Sequence, residues 1–190
     1  MKLIKVVFLD RDGVINKYPG DRDYVKSWSE FSFLPGAKES LKRLNGGGYK
    51  LIIISNQAGV SKGLYSRETL DLITRNMLKE LKDSGAVIEG VYYCVHLRED
   101  NCACRKPKTG LIDSAVQGLK KKGQEIELSR SFFIGDSIPD AQAGKAAGIK
   151  TILLFSGKER PGNRDNWEVF PDYTADDLSS ATDLILSLLR

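Results

Sequence analysis

The stretch KVVFLDRDG, residues 5–13, joins an uninterrupted apolar run to two carboxylates and a glycine. Runs of Val, Ile, Leu and Phe without polar alternation predict strands that are buried on both faces, as in a parallel sheet. Further runs of this kind follow along the chain, and together they predict strands over residues 5–9, 51–54, 87–95, 132–134 and 151–155. The sequence therefore predicts a sheet of short, mostly parallel strands.

Amphipathic segments of helical length separate these runs. They predict helices over residues 37–44, 67–83, 111–122, 141–147 and 178–189, whereas residues 163–177 are typical of a surface connection. Alternating strands and helices predict an α/β fold of three layers, in which a mostly parallel sheet is covered by helices. No internal repeat or linker interrupts the pattern, so residues 1–190 are predicted to form a single domain.

The composition limits the possible partners. A chain of 190 residues with 41% hydrophobic and 28% charged residues is typical of a soluble globular protein. Its formal charge of +4 suits an anionic small molecule, but it is too small to predict nucleic-acid binding. No apolar run approaches the ~18–20 residues that cross a bilayer, and the N-terminus lacks the pattern of a signal peptide. We therefore expect a cytoplasmic monomer with no membrane or nucleic-acid partner.

Polar side chains that can carry chemistry follow three of the predicted strands. Asp10 and Asp12 follow the first strand, Ser55 follows the second, and Asp136 and Asp140 follow the fourth. Because open parallel sheets bind ligands beyond the carboxyl ends of their strands, we expect these side chains to meet at one edge. Clustered carboxylates repel each other unless a cation joins them, and hard oxygen ligands suit Mg²⁺.

The same residues carry a resemblance to the haloacid dehalogenase (HAD) superfamily of phosphotransferases. Its four motifs stand in order as FLDRDG (residues 8–13), IISN (53–56), RKPK (105–108) and FIGDSIPD (133–140). The resemblance covers most of the chain and implies a HAD-like Rossmannoid sandwich. It also implies that the chain is an enzyme, a phosphoric monoester hydrolase that forms an aspartyl-phosphate intermediate.

The resemblance assigns a role to each motif residue. Asp10 is expected to be the nucleophile, and Asp12 the group that protonates the leaving alkoxide and then activates water. Mg²⁺ is expected to bind the side chains of Asp10 and Asp136 and the main-chain carbonyl of Asp12. Ser55 and Lys106 are expected to hold the phosphoryl oxygens. A carboxylate can attack a dianionic phosphoryl group only where cations offset the repulsion between them.

All the cysteines and the single histidine of the chain lie in one segment, residues 94–104. Cys94, His96, Cys102 and Cys104 form a Cys₃His set, which is an accepted tetrahedral zinc site with no open position for water. We therefore predict a structural zinc ion. The alternative is a set of reduced thiols near a surface histidine, and a zinc-knuckle nucleic-acid binder is the corresponding non-enzymatic function.

A loop of this kind directly before RKP resembles one branch of the superfamily. Its members dephosphorylate heptose bisphosphates or histidinol phosphate, and they cover the site with loops in place of a large cap domain. Residues 16–37 and 55–63 resemble the heptose enzymes, whereas the five residues between His96 and Cys102 also resemble the histidinol-phosphate enzymes. The favoured substrate is the 7-phosphate of D-glycero-D-manno-heptose 1,7-bisphosphate, and histidinol phosphate is the alternative.

The loops of this branch also suggest which residues bind the substrate. Arg105, beside the lysine of the third motif, is expected to contact the far end of the substrate. Asn56 and Gln57, together with Tyr18 and Tyr24 of the preceding turn, are expected to form hydrogen bonds with sugar hydroxyls. A sugar-phosphate sensor without catalytic activity is a further alternative, although both Asp10 and Asp12 are present.

Overall fold

A parallel sheet forms the centre of the computed structural model, which describes residues 2–188. Its strands are β1 (Lys2–Leu9), β2 (Tyr49–Asn56), β3 (Ile88–Cys94), β4 (Gln124–Ile126), β5 (Phe132–Gly135), β6 (Lys150–Leu154) and β7 (Tyr173–Ala175). They lie in the order β3-β2-β1-β5-β6-β7, with β4 beside the start of β1, and every strand pair is parallel. The predicted α/β class is confirmed.

Five α-helices cover the two faces of the sheet. They are α1 (Ala37–Gly46), α2 (Arg67–Asp83), α3 (Gly110–Lys121), α4 (Ile138–Ala146) and α5 (Leu178–Ser187). Alternate residues of β1 point to opposite faces, so that Val7 and Leu9 pack with α1, α2 and α5, whereas Val6 and Phe8 pack with α3 and α4. These two apolar layers are the core, and the sheet lies between them as predicted.

The predicted elements differ from the structure mainly at their ends and in the least apolar segments. Strands β4 and β7 were not predicted because each has only three residues and none of these is buried. Residues 163–177 are therefore not a simple connection, since they contain β7 and most of a 3-10 turn, Pro161–Asn166. The last residue of the predicted final helix, Leu189, lies outside the described residues. Within residues 2–188, no helix is both long and apolar enough to span a membrane.

The strand order reverses at β1, which pairs with β2 on one side and with β5 on the other. Such a reversal opens a crevice beyond the carboxyl ends of the two central strands. Asp10 follows β1 directly, and Asp136 follows β5 directly. The topology alone therefore places these two carboxylates side by side.

Candidate active site

Asp10 lies at the bottom of this crevice and is held on several sides. Its backbone N–H donates to the carbonyl of Ile134 at 2.9 Å, and its Oδ1 accepts the N–H of Arg11 at 2.7 Å. The ammonium of Lys106 is 3.1 Å from Asp10 Oδ2 and 2.6 Å from Asp140 Oδ1. The structure thus brings the first, third and fourth motifs into direct contact.

Asp136 completes a cluster with Asp10 and Asp140, in which one carboxylate oxygen from each lies within 4.8 Å of the others. Two glycines lie in close contact with the Asp136 side chain. A Cβ added to Gly13 would lie 2.2 Å from Asp136 Oδ2, and a Cβ added to Gly157 would lie 2.0 Å from the same atom. Gly13 also has a φ of +80°, which a side chain would strain. Asp136 can therefore occupy this position only because Gly13 and Gly157 have no side chains.

The carboxylates of this cluster fit a hard cation such as Mg²⁺, which prefers oxygen ligands. Burial raises the pKa of the Asp10 carboxyl to about 6, against the effect of the Lys106 ammonium. Burial and the charge of Asp10 also raise the pKa of Asp136 well above its usual range. Lys106 stays charged, because Asp10 and Asp140 raise its pKa although burial alone would lower it. Burial is the main cause of both raised pKa values, so a bound cation would favour the ionised form of each carboxyl.

These pKa values predict how Mg²⁺ changes stability with pH. A carboxyl whose pKa is raised by folding stabilises the native state at low pH, and this contribution is lost as the pH rises through about 6. We therefore expect Mg²⁺ to raise the Tm more at pH 8 than at pH 5, because it binds the ionised carboxylates. Thermal unfolding with and without Mg²⁺ at both pH values measures this difference. An equal or larger effect of Mg²⁺ at pH 5 would contradict the assignment of the cation to this cluster.

The Asp12 carboxylate turns away from this cluster toward three donors. Arg11 binds it through Nη2 at 3.0 and 3.1 Å and through Nε at 3.1 Å. Asn16 Nδ2 donates to Asp12 Oδ1 at 2.8 Å, and Gln57 Nε2 donates to Asp12 Oδ2 at 2.9 Å. The side chain of Asp12 is therefore held apart from the carboxylates that fit Mg²⁺, as a proton-transfer group requires.

Arg11 and Asn16 were not among the predicted site residues. Arg11 is fully buried, with its guanidinium 5.9 Å from the centre of the Tyr93 ring. A buried arginine needs a carboxylate partner, and the neighbouring Asp12 could have indicated one. Nothing in the sequence indicates that the Asn16 amide binds Asp12, because this contact depends on the tight turn that Gly13 permits.

The predicted substrate-binding residues separate into two groups. Tyr18, Tyr24, Asn56 and Arg105 line the cavity that contains Asp10 and Lys106. Gln57 does not fit its predicted role, because its side chain is fully buried behind Asp12. Its amide nitrogen donates to Asp12 and Ser55, and its oxygen accepts from the Tyr65 hydroxyl at 2.7 Å. Gln57 therefore positions Asp12 and does not face a sugar.

Ser55 and Asn56 come from the end of β2. Ser55 is buried and lines the same cavity, and its hydroxyl accepts the side-chain amide N–H of Gln57 at 3.2 Å. Asn56 bonds the main chain of Lys106 twice, accepting from its N–H at 3.1 Å and donating to its carbonyl at 3.2 Å. The side chain of Lys106 also donates to the carbonyl of Ile54 at 3.0 Å. β2 thus fixes both ends of the lysine.

The Cys₃His set forms a second cluster, at the end of β3. One ligand atom from each of Cys94, His96, Cys102 and Cys104 lies within 4.8 Å of the others. The sulfur atoms are 3.2–3.6 Å apart, and His96 Nδ1 is 3.1 Å from Cys104 Sγ. A tetrahedral zinc ion with Zn–S bonds of ~2.3 Å separates its sulfurs by about 3.8 Å. The arrangement is compatible with zinc and matches the predicted ligand set.

This cluster is connected to the catalytic cavity through the residues that follow it. The Arg105 guanidinium donates to the His96 carbonyl at 3.2 Å, and Lys106 follows Cys104 by two residues. Cys94 is fully buried and belongs to the apolar core beneath α3. Burial, together with a hydrogen bond to Cys104, raises the pKa of Cys94 to about 12, so its thiol needs a cation to ionise. The cluster therefore fits a structural metal.

The segment after β6, residues 155–160, also reaches the site and was not predicted to do so. The N–H of Lys158 donates to Asp136 Oδ2 at 2.7 Å, and the N–H of Glu159 donates to the Asp136 carbonyl at 3.0 Å. Ser156 Oγ donates to the carbonyl of Gly13 at 2.8 Å. Two of these three donors are backbone N–H groups, which almost any residue can supply, so the sequence did not reveal this contribution.

Three comparisons connect this fold and site to known proteins. A family model described as HAD-hydrolase-like matches residues 103–181. The D-glycero-beta-D-manno-heptose-1,7-bisphosphate 7-phosphatase of Helicobacter pylori strain J99 is 42% identical over 153 residues, which cover 80% of this chain and 83% of the relative. The D-glycero-D-manno-heptose-1,7-bisphosphate 7-phosphatase of Chlorobaculum tepidum is 34% identical over 188 residues, with 95% and 94% coverage.

A solved structure agrees with these relatives. The D,D-heptose 1,7-bisphosphate phosphatase from B. bronchiseptica, complexed with magnesium and phosphate, matches with a TM-score of 0.86, 30% identity and 99% coverage of both chains. An α/β sheet with a carboxylate cluster and a buried lysine at its switch point defines a phosphoryl-transfer protein of the HAD type. The chain belongs to the HAD-like phosphatases, which are phosphoric monoester hydrolases. The predicted family and class of enzyme are confirmed.

Proposed function

We propose that this chain hydrolyses the 7-phosphate of D-glycero-D-manno-heptose 1,7-bisphosphate. The observation that carries the proposal is the contact between Lys106 and the Asp10 carboxylate at the sheet's switch point. The substrate follows from the relatives, two of which are named for this reaction and are 42% and 34% identical to the chain. A phosphorylated sugar also agrees with the cations that line the cavity.

The proposed reaction uses the described residues in two steps. Asp10 attacks phosphorus and forms an aspartyl-phosphate, while Asp12 gives a proton to the leaving sugar oxygen. Asp12 then takes a proton from the water that cleaves the aspartyl-phosphate and releases inorganic phosphate. Ser55 and Lys106 hold the phosphoryl oxygens throughout both steps. Asp140 keeps the Lys106 ammonium in place through the 2.6 Å ion pair.

The proposed metal ions have separate sites. Asp10 and Asp136 would hold Mg²⁺ through their side chains, and Asp12 through its main-chain carbonyl, as in the family. When bound, Mg²⁺ offsets the negative charge of the phosphoryl group. Cys94, His96, Cys102 and Cys104 would hold Zn²⁺, which has a structural role. Reduced thiols are required for this, so we propose a cytoplasmic enzyme; the monomeric state expected from the sequence stays a prediction.

Parallel phosphate-release assays test the substrate. We expect Mg²⁺-dependent release from the heptose bisphosphate, with the β anomer preferred because the H. pylori relative is named for it. Histidinol phosphate should react with a kcat/KM lower by about 100-fold or more, since it lacks the sugar hydroxyls and second phosphate that the site would contact. Equal or faster turnover of histidinol phosphate would overturn the proposed substrate while leaving the phosphatase chemistry intact.

A further inference from the structure

The catalytic cavity alone is too small for a seven-carbon bisphosphate. Its volume is about 220 Å³, whereas sites for small molecules occupy ~300–1,000 Å³. A second cavity of about 710 Å³ adjoins it. The residues shared by both linings are Asn56, Arg105, Lys106, Pro139 and Lys158. A substrate whose reacting phosphate lies beside Asp10 therefore extends through this shared junction.

The junction carries positive charge that the protein itself leaves uncompensated. The Lys106 ammonium is already paired with Asp10 and Asp140. Within residues 2–188, by contrast, neither Arg105 nor Lys158 has a carboxylate oxygen within 4.0 Å of its charged nitrogen atoms. An anionic group of the substrate is the natural counter-charge for two such cations.

The main chain of Lys158 is fixed relative to Asp136. Its N–H donates to Asp136 at 2.7 Å, so the base of this side chain is tied to a carboxylate of the proposed Mg²⁺ site. The preceding residue, Gly157, is buried against Asp136, while the Lys158 side chain is exposed toward the cavities. The base of the side chain is fixed, and its flexible stem lets the ammonium reach a second anionic group near this site.

Arg105 approaches the same junction from a different element. It lies just before α3, and its guanidinium is oriented by the 3.2 Å bond to the His96 carbonyl. The two cations thus come from opposite sides of the central strands in the sheet order, since Arg105 follows β3 and Lys158 follows β6. A group that contacts both has to lie at the mouth of the catalytic cavity.

We infer that Lys158, together with Arg105, binds the phosphate of the substrate that is not hydrolysed. Lys158 is then a specificity residue that selects bisphosphates over monophosphates. The inference rests on the proposed function, because it requires a substrate with a second phosphate at the far end. It assigns a side chain in the segment after β6, outside the four motifs.

Replacement of Lys158 by methionine tests this assignment. The quantity to measure is the ratio of kcat/KM for heptose 1,7-bisphosphate to kcat/KM for the corresponding 7-monophosphate. We expect K158M to lower this ratio by about 10- to 100-fold, mainly through the KM of the bisphosphate, as the loss of a charged hydrogen bond predicts. K158R should retain most of the preference. K150M, at the opposite end of β6, is the matched control and should leave the ratio unchanged.

The outcomes separate this inference from the proposed function. A wild-type enzyme that does not hydrolyse the bisphosphate overturns the proposed function. A wild-type enzyme that prefers the bisphosphate, with a K158M variant that keeps the preference, overturns only the role of Lys158. Equal losses on both substrates also leave the ratio unchanged, and they would mean that Lys158 acts through Asp136 and not through the second phosphate.

Discussion

Asp10→Asn is expected to abolish phosphate release, with turnover falling by about 10⁴-fold or more, because an amide cannot form the acyl-phosphate bond. The substitution keeps the size of the side chain, and the oxygen of the new amide can still accept the N–H of Arg11. Steady-state phosphate release measures the effect. Turnover within about tenfold of wild type would contradict the nucleophile assignment.

The fold should survive this substitution. Burial raises the pKa of Asp10 to about 6, so the ionised carboxylate costs folding free energy above that pH when no metal is bound. A neutral amide removes this cost, and we expect the Tm of D10N without Mg²⁺ at pH 8 to equal or exceed that of wild type. D183N, which changes an exposed carboxylate paired with Arg43, is the matched control and should retain activity.

Cys102→Ser is expected to have the largest effect on stability. A serine hydroxyl is a poor zinc ligand, so metal analysis should find the zinc content falling from about one ion per chain to nearly none. Structural zinc contributes folding free energy directly, and a loss of roughly 3 kcal/mol would lower the Tm by about 10 °C in a chain of this size. Thermal unfolding with and without a chelator measures this change.

The same substitution should also reduce activity, although no cysteine contacts the proposed reacting atoms. Arg105 and Lys106 directly follow the cluster, and the Arg105 guanidinium depends on the carbonyl of His96. We expect kcat/KM to fall by about 10- to 100-fold, as for other groups that orient a site. Ala103→Ser, between two of the ligands, is the matched control. Purified wild-type protein without zinc would contradict the assignment of the cluster.

Much of the site could be predicted because its chemistry requires particular side chains. Carboxylates are hard oxygen ligands that suit Mg²⁺, and side chains that follow buried parallel strands meet at one edge of the sheet. The structure places Asp10, Asp136 and Lys106 together for that reason. The apolar runs located the five longer strands, since their burial on both faces requires such composition.

The remainder depends partly on local signals that the apolar pattern does not include and partly on contacts that only the fold creates. Helix α4 begins at Ile138, three residues before its predicted start, because Ser137 and Asp140 form a capping box. Arg11 is adjacent to Asp12 in sequence, whereas Gln57 is distant from it, and only the fold shows that the Gln57 amide also binds Asp12. The backbone N–H of Lys158 donates to Asp136, and any residue except proline could supply that N–H.

The basic cluster after the cysteines illustrates the same limit. A zinc-knuckle nucleic-acid binder, the alternative non-enzymatic function, would use Arg105, Lys106 and Lys108 to bind phosphates. In the structure Lys106 is buried against Asp10, and the Lys108 ammonium donates to the carbonyl of Asn101 at 2.7 Å. Arg105 alone of the three lines the catalytic cavity with its charge unpaired within the described residues. The proposed roles therefore divide the cluster between catalysis, loop structure and substrate contact.

The most direct test of the central claim is ³¹P NMR of wild-type enzyme and D10N with heptose 1,7-bisphosphate and Mg²⁺. We predict that the wild-type enzyme removes only the phosphorus signal of the C7 phosphate. Inorganic phosphate should appear in equal amount while the C1 phosphate signal persists, and D10N should show neither change. Loss of the C1 phosphate, loss of neither, or equal activity of D10N would contradict the account.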